Sequence, residues 1–396
     1  MGDGHLKPEA RNPKPETRNL KPEARNPKPE TRNLKPATRQ ELRYSYQQVF
    51  IASDLARRRL PMIRAHSTQE GPLVWLTACA HGDEVGGIAV IHEVFRRLRK
   101  NPLLRGAVHA FPLMNPFAFE LGTRHFPLGN EDLNRCFPGS ATGSLASRIA
   151  WRVFESIRSS APTVVLDLHN DWTNSIPYSI VDPPPPQATG REAYQRCQEL
   201  APKLGLVVVV ERADAEDALG WQQTLSASLI ARGIPALTIE LGEARVINEA
   251  NVEVGVSVVF NLLEELEMLG PRPKPFQHPS TALFGRRLLY YSDQPCPSSS
   301  GLVRFHVRPG EAVRKGRVLA RTFNAFGKML ERLRAPQDGI VLGHSDSSVA
   351  LPGIPILGFA IPHLEPATQE QAESRVELVE EAVPASELPV DPVDGP

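Results

Sequence analysis

Between residues 72 and 269 the apolar positions follow two alternating patterns. Short unbroken runs predict buried strands at Pro72–Ala80 (PLVWLTACA), Ala107–Leu113, Thr163–His169 (TVVLDLH), Leu206–Val210 and Ala236–Leu241 (ALTIEL). Between them, spacing near 3.6 predicts helices over Gly87–Lys100, Leu145–Ser159, Glu192–Leu204, Ser226–Gly233 and Asn251–Leu269. The first of these ends in a basic turn, which suits the helix dipole. Strands apolar throughout and alternating with helices imply an α/β fold: a mixed, mostly parallel sheet with helices on both faces.

The pattern changes after the Pro-rich break at 271–279 (PRPKPFQHP). Residues 280–363 read as short strands with frequent glycines, and VRPGEAVRKGRVLA is echoed by RAPQDGIVLG. This predicts a small C-terminal all-β, barrel-like domain. At the other end, from Leu6, a seven-residue unit runs LKPEARN, PKPETRN, LKPEARN, PKPETRN, LKPATRQ. A proline in every unit blocks a coiled coil, and little apolar surface is offered for burial. Residues 1–40 hold ten Lys/Arg against five Asp/Glu, and residues 364–396 hold nine Asp/Glu and one Arg. Two disordered tails are expected. The first is either a tethering arm or a translated tandem repeat without a selected role. The expected organisation is a tail at 1–42, a hydrolase domain at 43–272, the β domain at 280–363 and an acidic tail at 364–396.

Over 396 residues, 45 Lys/Arg balance 45 Asp/Glu. A neutral chain is not a dedicated nucleic-acid binder, whose affinity rests on clustered basic charge. No apolar run approaches the ~20 residues of a membrane span. Cys79, Cys136, Cys197 and Cys296 lie far apart with no CxxC pair. That excludes a disulfide scaffold or zinc ribbon and suggests a reducing, cytoplasmic setting. No signal-peptide pattern opens the chain.

Chemistry concentrates at strand ends, where α/β sheets bind ligands. His81-Gly82-Asp83-Glu84 follows the first strand, and a His and a Glu three apart at a turn can face one ion. A lone HxxE is weak, and it needs a third ligand from another strand end. His169 ends TVVLDLH and supplies one; two imidazoles and a carboxylate are zinc-type donors. Asp167, two residues earlier, could orient a ligand or simply cap the core. Glu240 ends TIEL, where a carboxylate is costly to bury unless paired or used. It is either a general base or an ordinary strand-end Glu. In the loop Glu131-Asp132-Leu133-Asn134-Arg135, Arg135 offers a bidentate fork for a carboxylate and Asn134 an amide beside it. Arg124 could stabilise an oxyanion, and His125 reads as a surface residue.

Taken together these motifs resemble the succinylglutamate desuccinylase/aspartoacylase family, a deacylase branch of the zinc carboxypeptidase superfamily, over about residues 46–363. HGDE matches its first metal motif, implying His81 and Glu84 as zinc ligands, and DLHN implies His169 as the third. DLNRCFPG matches the substrate loop, so Asn134 and Arg135 would bind the substrate carboxylate. ELG implies Glu240 as general base, and Arg124 matches the carbonyl-polarising arginine. The resemblance implies one Zn2+ per chain and hydrolysis of the amide of a small N-acyl amino acid, with a β domain at 280–363.

Three other readings remain open. A zinc carboxypeptidase would use the same ligands on peptides. Residues 301–343 resemble a biotinyl/lipoyl-type barrel, with Lys328 of GKMLERLRAPQDG where a carrier has its modified lysine, although Gly327 replaces the usual first Met. A zinc-binding protein without activity is the third. Homo-oligomerisation is undecided by the sequence, as are the acyl group and the amino acid.

Overall fold

Two strands precede the first one read from the sequence. In a computed structural model describing residues 40–51, 57–211, 218–283, 288–345 and 348–362, β1 (Glu41–Ile51) and β2 (Arg57–His66) form a long antiparallel pair. Pro61 and the Arg57–Arg59 run broke the apolar pattern there, yet Leu60, Met62 and Ala65 are buried. The heptad repeats through residue 39 and the acidic tail at 364–396 lie outside the described residues, as do residues 212–217.

The α/β part then runs β3 (Leu73–Ala78), α1 (Gly86–Leu98), β4 (Ala107–Phe111), α2 (Pro116–Leu121), α3 (Leu145–Arg158), β5 (Val164–His169), β6 (Asn174–Ser175) and β7 (Pro177–Val181). It continues with α4 (Arg191–Leu200), β8 (Val207–Val210), α5 (Ala218–Trp221), α6 (Leu225–Ile230), β9 (Ala236–Leu241) and α7 (Glu249–Glu265). The remaining strands are β10 (Leu288–Ser292), β11 (Gly301–Phe305), β12 (Ala312–Val313), β13 (Val318–Phe323), β14 (Met329–Arg334), β15 (Gly339–His344), β16 (Val349–Ala350) and β17 (Leu357–Pro362). Each strand and helix expected between 72 and 269 is present, with ends moved by a few residues. The five-residue β7 was not expected; it lies in the stretch after His169 that reads as loop.

The main sheet has the order β1-β2-β4-β3-β5-β9-β7-β8-β10-β17-β15-β12. Its centre, β4-β3-β5-β9, is parallel, as are β7-β8 and β8-β10. Across the whole sheet, however, antiparallel pairings outnumber parallel ones among the described residues. The expectation of a mostly parallel sheet therefore holds only for the centre. The hairpin β1–β2 and the C-terminal strands extend the edges with antiparallel neighbours, and β7 inserts antiparallel beside β9.

The helices form two groups, α1 with α7 and α3 with α4 and α6, and both groups lie against β5 and β9. One group therefore covers each face, and the central strands are buried on both sides, which is why they read as continuous apolar runs. After the Pro-rich break, β10 pairs with β8 and β17, so the main sheet continues through it. β14-β13-β11-β16 form a separate four-stranded sheet. Leu319 of that sheet packs with Val341, Leu357 and Phe359 of the main sheet, closing a second small core.

Candidate active site

Three strand exits bring the expected residues together. The turn after β3 is held by Asn115, whose Nδ2 donates to Ala80 O at 3.0 Å, while Asn115 N–H donates to Cys79 O. Gly82 lies against α2: a Cβ there would fall 2.0 Å from the Ala118 carbonyl carbon. Only glycine lets this turn approach the helix so closely. The turn places His81 and Glu84 under the end of β5, where His169 is the last residue.

His81 Nδ1 lies 2.5 Å from Glu84 Oε1, and His169 Nδ1 lies 2.8 Å from Glu84 Oε2. The other ring nitrogens face outward to carboxylates. His81 Nε2 is 3.0 Å from Asp132 Oδ1, and His169 Nε2 is 2.9 Å from Asp167 Oδ2. Thr77 Oγ1 donates to Asp167 Oδ1 at 2.6 Å, which fixes that carboxylate. All three residues are buried, and one potential ligand atom from each lies within 4.8 Å of the others. This donor set fits a divalent metal. A carboxylate at each Nε2 sets the tautomer in which Nδ1 offers its lone pair, and the two Nδ1 atoms converge on one carboxylate. Burial works against charge on Glu84, but the two imidazoles outweigh it and hold its carboxyl far below the usual range.

Glu240 stands beside this cluster. Parallel pairing of β5 with β9 sets it opposite His169, and antiparallel pairing of β9 with β7 sets it opposite Tyr178. It is buried, and its Oε2 has no hydrogen-bond partner. Burial, with Asp171 and Glu84 nearby, pushes its carboxyl well above the usual range, against His169 and Arg124. Arg124 is half-exposed. Its Nη2 donates to Asp132 Oδ2 at 3.1 Å, and its Nη1 reaches Glu84 Oε1 at 3.5 Å. Arg135 carries its guanidinium 4.9 Å over the Trp221 ring, and Asn134 Oδ1 accepts from Leu225 N–H at 3.0 Å.

These seven residues line one cavity of about 180 Å³. Asp171, Tyr178 and Asp182 line it too, within the stretch 171–186 that reads in the sequence as a pocket-lining loop, and so do Glu211 and Tyr291, which lie outside it and were not expected there. Glu211 directly follows the all-valine β8, the kind of signal that marked Glu240, whereas Asp182 follows β7, whose Tyr178 and Ser179 blur that signal. Tyr178 donates its hydroxyl to Asp171, whose carboxyl burial pushes up to about 6. Tyr291 comes from β10, beyond the Pro-rich break, so the C-terminal part contributes one wall. His125 is exposed. Lys328 is exposed at the tip of the β13–β14 hairpin and does not line the cavity.

An α/β sheet with two buried imidazoles and a carboxylate converging at its strand ends, beside a cavity lined by several further acids, is an arrangement that could hold a metal ion. A family model described as the succinylglutamate desuccinylase/aspartoacylase catalytic domain matches residues 70–266. Over 291 residues the chain is 28% identical to N-alpha-acetyl-L-2,4-diaminobutyric acid deacetylase of Halomonas elongata, spanning 69% of this chain and 77% of that one. Among solved structures, the succinylglutamate desuccinylase/aspartoacylase of Rhodobacter sphaeroides is 22% identical with a TM-score of 0.67, covering 82% of this chain and 96% of that one. The product-bound ectoine utilization protein of Ruegeria pomeroyi is 20% identical with a TM-score of 0.66, covering 81% and 95%. These two likenesses concern the fold. The chain belongs to the succinylglutamate desuccinylase/aspartoacylase family. Among the described residues, no helix is long and apolar enough to cross a membrane.

Proposed function

We propose that the protein is a zinc-dependent deacylase that hydrolyses the amide bond of a small N-acyl amino acid. One observation carries this reading: His81 and His169 turn their Nδ1 atoms onto Glu84 while an unpartnered, buried Glu240 stands in the next strand. His81, Glu84 and His169 would hold one zinc ion per chain. When bound, it supplies a Lewis acid and makes water more acidic at the mouth of β3 and β5.

The side chains then divide the work. Glu240 accepts a proton from the attacking water as its oxygen bonds to the acyl carbon. Arg124, already turned toward Glu84 and Asp132, stabilises the negative charge that grows on the carbonyl oxygen. The carbon–nitrogen bond breaks, and Glu240 returns the proton to the departing amine, leaving a carboxylate and a free amino group. Arg135, stiffened by stacking on Trp221, and Asn134 hold the substrate carboxylate. Residues 43–272 form the hydrolase domain, and residues 280–363 a β domain that closes the cavity through Tyr291. At about 180 Å³ the cavity is small beside the ~300–1,000 Å³ of typical ligand pockets, which favours an acyl amino acid over a peptide.

The test is metal content together with hydrolysis. Purified protein is expected to hold one zinc per chain and to deacylate a member of an N-acyl amino acid panel that includes the substrate named for the Halomonas relative. His169→Ala is expected to lose the metal. Carefully prepared protein with no stoichiometric metal, or metal with turnover on peptides alone, refutes the reading.

A further inference from the structure

The four-stranded sheet β14-β13-β11-β16 has an inner face of Val303, Ala320, Leu333 and Ala350, packed with Ile356. On the other face, pairing sets Arg304 opposite Arg321 and Arg321 opposite Arg332. Residues directly opposite each other share a face, so three arginines form one row across adjacent strands. Two residues along, Leu302 lies opposite both Phe323 and Val349, which sets an apolar row beside the basic one. Leu302 and Val349 are exposed, as are Arg304 and Arg332. Arg304 carries its guanidinium 5.6 Å over the Phe323 ring, and Leu302, Arg304 and Phe323 line an open hollow of about 610 Å³.

No acid on this face answers the charge. The four strands contain a single carboxylate, Glu331. It lies opposite the buried Thr322, on the inner side, and accepts from Ser298 N–H at 3.0 Å. Among the described residues none of Arg304, Arg321 and Arg332 makes an ion pair, and the buried Arg321 Nε has no hydrogen-bond partner. Like charges directly opposite one another on a sheet are destabilising. Burial, then Arg321 and Arg317, hold the neighbouring His306 imidazole below its usual range. The two rows fit an occupant that mixes carboxylates with aliphatic side chains.

The chain itself carries such a segment. Residues 364–396 hold nine Asp/Glu and one Arg, with Val376, Leu378 and Val379 set among Glu373, Glu377 and Glu380. The segment begins two residues beyond β17, whose Leu357 and Phe359 share a small core with Leu319 of β13. The stretch from Pro362 to Glu377 can extend to about 50 Å, whereas three strands are only about 10 Å across. Tethering also keeps the segment at high effective concentration. Residues 1–40 carry the wrong net sign, and a second copy of this face would set arginine against arginine.

We propose that residues 364–396 dock on the outer face of this sheet in the same chain. Their carboxylates meet Arg304, Arg321 and Arg332, and their aliphatic side chains cover Leu302, Phe323 and Val349. The proposal stands apart from the deacylase reading.

The experiment uses the full-length protein. It is digested briefly with trypsin, and release of residues 376–396 is followed by mass spectrometry. Arg375 is the one tryptic site in 364–396, so this fragment reports on the segment alone. A synthetic peptide of residues 364–396 sets the unprotected rate. At low salt, cleavage in the protein is expected to be at least about 10-fold slower than in the peptide, and about 0.5 M NaCl should remove the difference by screening. Arg304→Ser combined with Arg332→Ser should abolish the protection. Arg304→Lys combined with Arg332→Lys keeps the charge and should retain most of it. The salt series acts on the unaltered protein, so the test holds even if a variant fails to fold. Cleavage at the peptide's rate at low salt overturns the proposal, as does protection that ignores salt or survives both serines. Protection that grows with protein concentration places the segment on another copy and overturns it too. So does a single-stranded oligonucleotide that binds through Arg304 and Arg332 while Arg375 stays protected, which assigns the face to nucleic acid.

Discussion

His169 and Glu240 are in-register partners on adjacent parallel strands, so an imidazole of the convergent cluster and an unpartnered buried acid project from one face of the sheet one strand spacing apart. Main-chain hydrogen bonding between β5 and β9 sets their relation, and no loop has to close to create it. A site built on paired strands is held more firmly than one built on loops.

This pairing separates metal retention from chemistry. Glu240→Gln keeps the shape and removes the proton acceptor. It is expected to retain zinc and lose turnover by about 10²- to 10⁴-fold, the usual contribution of a general base. Metal analysis beside single-turnover rates checks this, and metal loss in Glu240→Gln would count against the assignment.

Asp167 is expected to act through His169. It accepts from Thr77 on one oxygen and meets His169 Nε2 with the other. Asp167→Asn should loosen the tautomer and orientation of the ring and weaken metal affinity by about 10- to 100-fold. Competition with a fluorescent chelator measures it. Unchanged affinity would leave Asp167 as a core-capping group.

Gly82 is expected to tolerate no side chain. A Cβ would meet the backbone of Ala118, which cannot turn aside as a flexible side chain could. Gly82→Ala should destabilise the fold by about 1–3 kcal/mol or more and displace His81. Urea denaturation and metal content report the two effects separately.

Stability should depend on pH through Glu211. Its carboxyl is pushed to about 8 by burial, with Asp182, Asp171 and Asp293 adding and Arg135 opposing, against an ordinary 4.5. The folded chain holds this proton more tightly than the unfolded chain. The contribution is therefore complete below about pH 4.5, falls as pH rises, and is gone above about 8. The Tm of wild type is expected to decline across that window. Glu211→Gln should decline less and keep the lower part, which comes from Asp182 near 6. Parallel Tm curves for the two proteins from pH 5 to 9 would contradict this.

Much of the frame was legible in the residues. Val164–His169 and Ala236–Leu241 are covered on both faces, so their apolar runs declared them as strands. β1 and β2 were not legible, because one proline and three arginines interrupt a half-exposed hairpin whose burial depends on its neighbours. β7 was hidden in a polar stretch for a similar reason: Tyr178 and Ser179 become buried only once β9 and β8 flank them.

By itself the sequence determined which chemical groups were available and on which strand ends: HGDE, the closing His169, the DLNR loop and the closing Glu240. It determined these because strand ends and apolar periodicity are local properties. Only the tertiary structure decided which groups meet. Asp132 reaches His81 across 51 positions of chain, and Tyr291 enters the cavity from beyond the Pro-rich break. Asp182 and Glu211, separated by an entire helix in the chain, become neighbours because β7 and β8 pair in parallel. Long-range strand pairing is fixed by the packing of the whole sheet, and no local pattern carries that information.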